Sequence, residues 1–261
     1  MLTNNKSIFA LAEFRRIWKS DFIESEIAEV KEFLQDSPLL IETLSLRNSS
    51  LAIIDLRRMT YLCCIGDTVP ICGWDKKYFL EGGVGFFLSK MLPADLEGFR
   101  QMSEITTNYV RPLTDEAMKS FKSFIDLQVV GEDGKINRVL HEGVSLKRDP
   151  DGNITFMLAL ISNITNLKRD NRQHLRLTDA TQNLIFEINN TDNSCRQLEK
   201  LSERELQIAR LTGKKLTSEE IAKALFISVH TVNTHRQNML RKLDMADTME
   251  LLNFLTAYQV I

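Results

Sequence analysis

Six residues near the C-terminal end, His230, Asn233, Thr234, Gln237, Asn238 and Arg241, recur at the spacing that gathers side chains on one face of a helix. None is acidic and none is a large apolar group; they offer hydroxyl, amide, imidazole and guanidinium functions. Such a face suits the major groove of duplex DNA, where Asn and Gln form paired hydrogen bonds with adenine. A helix that only meets water is more often laced with Glu and Lys. On the opposite side Val232, Met239 and Leu243 fall within about 20° of one line, with Leu240 at the flank, and make a core face. Between Ala222 and Leu243 the charged residues are Lys223, Arg236, Arg241 and Lys242, with no Asp or Glu. Acids sit at Glu219 and Glu220 and again from Asp244 onward, leaving a local cationic strip of the kind that phosphate neutralisation requires.

The elements that must hold this helix are punctuated by capping residues. Ser202 with Glu205 forms a capping box that opens a helix carrying Leu206, Ile208, Ala209 and Leu211. Thr217 with Glu220 forms a second, opening a helix from Ser218 to about Leu225 with Ile221, Ala222 and Leu225 on one face. Phe226, Ile227 and Ser228 make a tight turn, and Ser228 caps the third helix through Thr231. Asp247 caps a fourth helix bearing Leu251, Leu252, Phe254 and Leu255.

This stretch closely resembles the LuxR-type helix-turn-helix. The resemblance is carried by Leu201-Ser202-x-Arg204-Glu205, Glu220-Ile221-Ala222, Leu225-Phe226-Ile227-Ser228, Thr231-Val232-x-x-His235 and Lys242-Leu243. It implies a recognition helix from about His230 to Leu243, dimerisation through the fourth helix, and double-stranded promoter DNA as partner. Carried over by position, it implies that Asn233, Thr234 and Gln237 face bases, and that Ser228, Thr231, Arg236, Arg241 and Lys242 lie near phosphates. His235 borders the core face and is expected to pack there or to bond backbone. The family usually has glycine at the position of Lys215, whereas this chain has Gly213 two residues earlier. Either the first helix stops sooner, or Lys215 takes an unfavourable left-handed backbone.

Upstream, the hydrophobic period changes from helical to alternating. Residues 51–56 and 60–66 read as a hairpin, Pro93 to Tyr109 as a helix, and residues 122–131, 135–146 and 154–165 as three further strands separated by Asp/Gly turns. Two strands, short helices and a three-strand meander make one open antiparallel sheet with helices on one face. That order, with the turn and closing strand DPDGNITFMLALISNIT and the helix start Pro93-Ala94-Asp95, resembles the PAS sensor fold over about residues 40–166. The family's closing Asp-Ile-Thr is here Asn163-Ile164-Thr165, which keeps hydrogen bonding without the charge. The expected fold class is therefore α+β, a PAS-like antiparallel sheet with helices followed by an all-α four-helix helix-turn-helix domain. The expected domains are a helical extension (1–39), the PAS-like domain (40–166), a helical connector and linker (167–196) and the helix-turn-helix domain (197–261). In the extension, Ile8, Leu11, Phe14 and Trp18, and then Phe22 to Leu34, mark two amphipathic helices that either pack over the sheet or serve as a dimerisation arm. The polar run from Asn189 to Ser194 reads as the linker.

At 261 residues, 43% apolar, 26% charged and with a net charge of -2, the chain is an ordinary soluble protein of two domains, not a globally basic one. It shows no apolar run near the roughly 20 residues that span a bilayer and no signal-peptide core, so a cytoplasmic location without membrane contact is expected. Cys63, Cys64, Cys72 and Cys195 lack metal-ligand spacing and read as free thiols; no metal and no cofactor are expected. No nucleophile–base pair or phosphate loop emerges, so no enzyme is expected. His141, on a strand between Leu140 and Glu142, is expected on the strand surface. Two readings stand for the first domain: it senses a signal or partner, such as a small-molecule ligand, and gates a dimeric DNA-binding domain, or it is a protein-interaction module without a ligand.

Overall fold

The computed structural model describes residues 37–168 and 170–261, with Glu32 and Leu34. The amphipathic stripes expected in residues 8–33 lie outside the described residues. The strands β1 (Ser49–Asp55), β2 (Thr60–Ile65), β3 (Lys122–Val130), β4 (Ile136–Arg148), β5 (Ile154–Asn163), β6 (Gln173–Thr178), β7 (Asn183–Asn189) and β8 (Ser194–Gln197) form one sheet in the order β2-β1-β5-β4-β3-β6-β7-β8, antiparallel at each junction. Its first five strands, β1 to β5, are those expected of the PAS-like domain.

Helix α1 (Pro38–Leu46) covers one sheet face, where Leu40 and Leu44 pack on Leu51, Ile53, Phe156 and Leu158. Against the other face lie α2 (Val69–Cys72), α3 (Lys76–Lys90), α4 (Pro93–Val110) and α5 (Asp115–Met118), over a core containing Phe79, Phe87, Met102, Ile125, Leu127 and Leu175. The glycine stretch within α3 is helical, broken at Gly83 (φ 62°), where a Cβ would come within 2.6 Å of the Met59 carbonyl oxygen. Asp95 pins the start of α4 by accepting from the Gln128 backbone N–H (2.8 Å) and from Asn190 Nδ2 (2.8 Å). Asn163 bonds in both senses: its Nδ2 donates to the Ile71 carbonyl (2.9 Å), and its Oδ1 accepts from the Thr165 N–H (2.9 Å). The buried Cys63 and Cys64 point to opposite faces, and burial pushes the Cys64 thiol up to about 12.

Residues 167–196 correct the expected helical connector. They extend the sheet as β6 (Gln173–Thr178), β7 (Asn183–Asn189) and β8 (Ser194–Gln197). The spacing of Ile164, Leu167 and Leu175 mimics a helical period, but the period from Gln173 is two: Leu175 and Leu177 enter the helix-side core while His174 and Arg176 face the other way. The expected linker is the β7–β8 turn, stabilised where Asn189 Oδ1 accepts from the Thr191 N–H (2.9 Å) and Asp192 Oδ1 from the Ser194 N–H (2.9 Å). Asn and Asp bond their own backbone in this way in turns as well as in linkers, so composition alone did not separate the two.

The C-terminal domain is built as its caps foretold: α6 (Glu203–Gly213), α7 (Ser218–Leu225), α8 (Val229–Leu243) and α9 (Thr248–Ala257). Both capping boxes are formed, and Ser228 and Asp247 cap α8 and α9. Of the two alternatives for the end of α6, the second holds: Lys215 has φ 65°. The domain docks on the sheet face opposite α3 and α4. Phe124, Leu140 and Ile185 share a core with Phe254, Leu255 and Tyr258. The Tyr258 hydroxyl donates to Asp126 Oδ1, and Arg176 Nη1 donates to the Tyr258 carbonyl (2.6 Å). His174 is fully buried there, edge-on to Phe254 at 4.9 Å between ring centroids.

Two measurements follow from this packing. Left-handed backbone costs an L-residue roughly 1–2 kcal/mol, partly offset for glycine by its freer unfolded chain. Lys215→Gly should therefore stabilise the domain by about 1 kcal/mol, raising Tm by roughly 2–4 °C; an unchanged or lower Tm contradicts the strain. Burial pushes His174 below its ordinary value, and burial alone lowers His141 to about 4. The stability from keeping these imidazoles neutral is complete above the unfolded value near 6.5 and is lost as pH falls toward the folded values. Melts should show Tm dropping from pH 7.5 to pH 5, with each histidine contributing up to about 1.4 kcal/mol per pH unit. His174→Phe should flatten that slope; a slope identical to the parent's contradicts the assignment.

Candidate nucleic-acid interface

Helix α8 owes its orientation to the three residues that its sequence period puts inward. Val232, Met239 and Leu243 are 0%, 1% and 0% exposed, and they pack with Ile208, Ile221, Ala222 and Leu255. The opposite face is open: His230, Asn233, Thr234, Gln237 and Arg241 are exposed, and Asn238 is half-buried. His235 is half-buried beside the core. At the N-terminus Ser228 Oγ accepts from the Thr231 N–H (3.0 Å) and lies 2.8 Å from Thr231 Oγ1. Two hydroxyls thus stand beside the first amides of a 15-residue helix, where the helix dipole favours an anion. Preceding them, Phe226 takes a left-handed backbone (φ 55°) and leaves its ring 93% exposed.

Asn233 is oriented by its neighbours. Its Oδ1 accepts from Ser218 Oγ (2.9 Å), and Ser218 Oγ accepts in turn from Arg236 Nη1 (2.9 Å). The amide therefore turns its Nδ2 donors away from α7. Thr234 Oγ1 donates to the His230 carbonyl (3.0 Å), which fixes its rotamer on the exposed face.

The cations divide into two kinds. Arg236 reaches inward: besides Ser218 it donates through Nη2 to Thr212 Oγ1 (3.1 Å), tying α8 to α6 and α7. Lys242 Nζ lies 2.7 Å from Glu205 Oε2, with the carboxylate side chain 3% exposed. Glu205 also closes the capping box of α6. Burial raises the Glu205 carboxyl, but the bonds from Lys242 and Ser202 outweigh it and hold it below its usual range. Arg241, by contrast, forms an exposed pair with Glu199 (2.6 Å), with both side chains more than half exposed. Lys223 is exposed. Sequence reasoning found the Ser202–Glu205 box but missed the second partner of Glu205, because Lys242 stands 37 residues away. It also missed the inward course of Arg236, whose only signal was its closeness to the core line.

The first domain holds a cavity of about 210 Å³ between the sheet and α3 and α4. Tyr61, Phe87, Phe99, Ile125 and Met157 line it, with polar groups at Ser103, Thr106, Thr107, Ser123, Asn153 and His141, and no Asp, Glu, Lys or Arg. His141 therefore lies on the inner side of β4, not on the strand surface as expected. Alternation along the strand turns its neighbours Leu140 and Glu142 toward the C-terminal domain instead.

Comparison with known proteins bears on the C-terminal part. The chain is 36% identical over 81 residues to a nitrate/nitrite response regulator protein homolog of Haemophilus influenzae, covering 31% of this chain and 38% of that protein. It is 31% identical over 115 residues to the oxygen regulatory protein NreC of Staphylococcus aureus, covering 43% and 51%. The chain thus spans about half the length, or less, of the curated relatives it matches. Among solved structures, the N-terminal domain of a diguanylate cyclase with PAS/PAC sensor from Marinobacter aquaeolei aligns at TM-score 0.34 and 15% identity, over 45% of this chain and 96% of that one. The VqmA dimer of Vibrio cholerae aligns at TM-score 0.31 and 13% identity, over 91% and 88%. Residues 199–255 match the bacterial regulatory proteins of the luxR family, and with the four capped helices and the open polar face of α8 they are a LuxR-family helix-turn-helix domain.

Proposed function

We propose that the chain is a transcriptional regulator that binds duplex DNA through α8 as a homodimer, gated by its PAS-like domain. One observation carries the reading: the acid-free, amide-bearing face of α8 is open while Val232, Met239 and Leu243 seal its other side. Asn233, Thr234 and Gln237 read base edges in the major groove. Ser228, Thr231 and Arg241 contact phosphates; the Arg241–Glu199 pair is exposed and screened by solvent, so a phosphate competes for it readily. Arg236 and Lys242 position the helix from within the domain. The cavity supports sensing over a purely protein-binding role: its uncharged, mostly apolar lining suits a small neutral molecule with one or two hydrogen-bonding groups.

Selection from a random duplex library, followed by retardation assays, tests the DNA arm. Binding should fall steeply with salt, with a log–log slope of about −0.9 per phosphate contacted. Gln237→Ala should lose about 1–3 kcal/mol of discrimination at one base position while leaving Tm unchanged. Lys242→Met should do the reverse, lowering Tm because it strands the buried Glu205 carboxylate, with selected sequence unchanged. Absence of retardation with any duplex at low salt removes the reading. Extraction of the purified chain for co-purifying small molecules tests the cavity arm.

A further inference from the structure

Along β3, Ile125 and Leu127 line the cavity while Phe124 and Asp126, alternating with them, face the C-terminal domain. Along β4, His141 lines the cavity while Leu140 and Glu142 face that domain, where Gln259 Nε2 donates to Glu142 Oε2 (2.7 Å). One thickness of sheet therefore separates the cavity from the docked face of α9, and a displacement of either strand is felt on both sides. The seam on the far side is part apolar and part charged. At its centre is a charged cluster: Asp126 Oδ2 accepts from Arg138 Nη1 (2.5 Å) and lies 3.4 Å from Lys168 Nζ. His174 is fully buried beside this cluster, its Nε2 held only by a long 3.6 Å contact to Glu187 Oε2. So weakly paired an imidazole adds less to the closed seam than a fully bonded one. At the rim, Arg172 and Arg196 hold Asp244, the C-cap of α8, at 3.0 and 2.6 Å.

We propose that this seam is a releasable latch, closed by the Tyr258 hydroxyl on Asp126 and biased through β3 and β4 by whatever fills the cavity. Closed, it holds α8 and α9 as one body with the sheet and covers Phe254 and Tyr258. Open, it leaves the four-helix domain on the short tether after β8, with that face of α9 uncovered. The coupling to a cavity occupant rests on the sensing role proposed above; the latch itself does not.

Hydrogen exchange on the full chain tests both parts without DNA. Tyr258→Phe keeps the ring and removes only the donor. It should speed exchange of the α9 amides about tenfold while the amides of α6 and α8 stay protected. Exchange within twofold of the parent overturns the latch, and so does equal loss of protection across α6, α8 and α9, which would make the phenol a fold element of the domain. Thr107→Phe, placed in the cavity wall across from β3, stands in for an occupant and should change α9 exchange at least threefold in either direction. If α9 is unaffected while amides of β3 respond, the coupling is overturned although the latch stands. A chain that passes these tests but retards no duplex loses the DNA reading and keeps the latch.

Discussion

The arrangement of the two domains depends on one buried charge. Asp126 is 0% exposed in the middle of β3, on the face where a strand residue meets the docked domain. Burial pushes its carboxyl up, yet the Lys168 and Arg138 cations outweigh that and hold it below the usual carboxylate range. Its remaining oxygen capacity is met by the His174 N–H (2.7 Å) from β6 and by the Tyr258 hydroxyl from the end of α9. The carboxylate thus fixes three things at once: the start of β6 beside β3, the loop that carries Lys168, and the position of the helix-turn-helix domain. An apolar residue at this position would take the Tyr258 contact out of the middle of the seam and leave register to the shared core and the rim pairs. The charge sets where the domain sits more than how strongly it is held.

Within the C-terminal domain the same tension between folding and binding is resolved by burial. A cation bonded to a buried carboxylate cannot leave it for a phosphate without stranding that carboxylate, whereas an exposed pair exchanges partners at little cost. Lys242 with Glu205 is the first kind and Arg241 with Glu199 the second. The positive strip evident in the sequence is therefore two populations. One holds α8 against α6 and α7 so that the relay from Arg236 through Ser218 presents Asn233; the other is available at the surface.

What was legible in the sequence was what is local. The four C-terminal helices announce themselves because each begins with a side chain that bonds an amide three residues on, and that geometry is contained in a short window. The first five strands were legible from alternation between turns. Strands β6 to β8 were not: they are short, Arg172 to Arg176 interleaves polar groups that serve a neighbouring domain, and the apolar spacing from Ile164 to Leu175 mimics a helix. The pair Asp126–Tyr258 spans 132 residues, and nothing near either residue marks it. His141 shows the same limit in miniature. The strand pattern gives its alternation with Leu140 and Glu142, but which face is inside depends on the second domain, which buries the side that would otherwise meet water.

That inversion also constrains what the cavity accepts. With the helix-turn-helix domain on one face and α3 and α4 on the other, each β4 residue from Asn137 to Arg148 is buried or half-buried, and His141 is neutral across the physiological range because burial holds it down at about 4. Uncharged, the imidazole offers one donor and one acceptor, while the Ser103, Thr106 and Thr107 hydroxyls along α4 donate to the carbonyls of Phe99, Met102 and Ser103 (2.8, 2.7 and 2.8 Å) and keep acceptor capacity. A carboxylate or ammonium ligand would enter without a counter-charge and bear a desolvation cost of several kcal/mol. About 210 Å³ exceeds the roughly 150 Å³ of an apolar protein cavity that admits benzene, which leaves room for a ring with small substituents and excludes a long acyl chain held wholly inside. Selectivity at this site is then a matter of shape and hydrogen-bond pattern, read by walls that share their strands with the seam behind them.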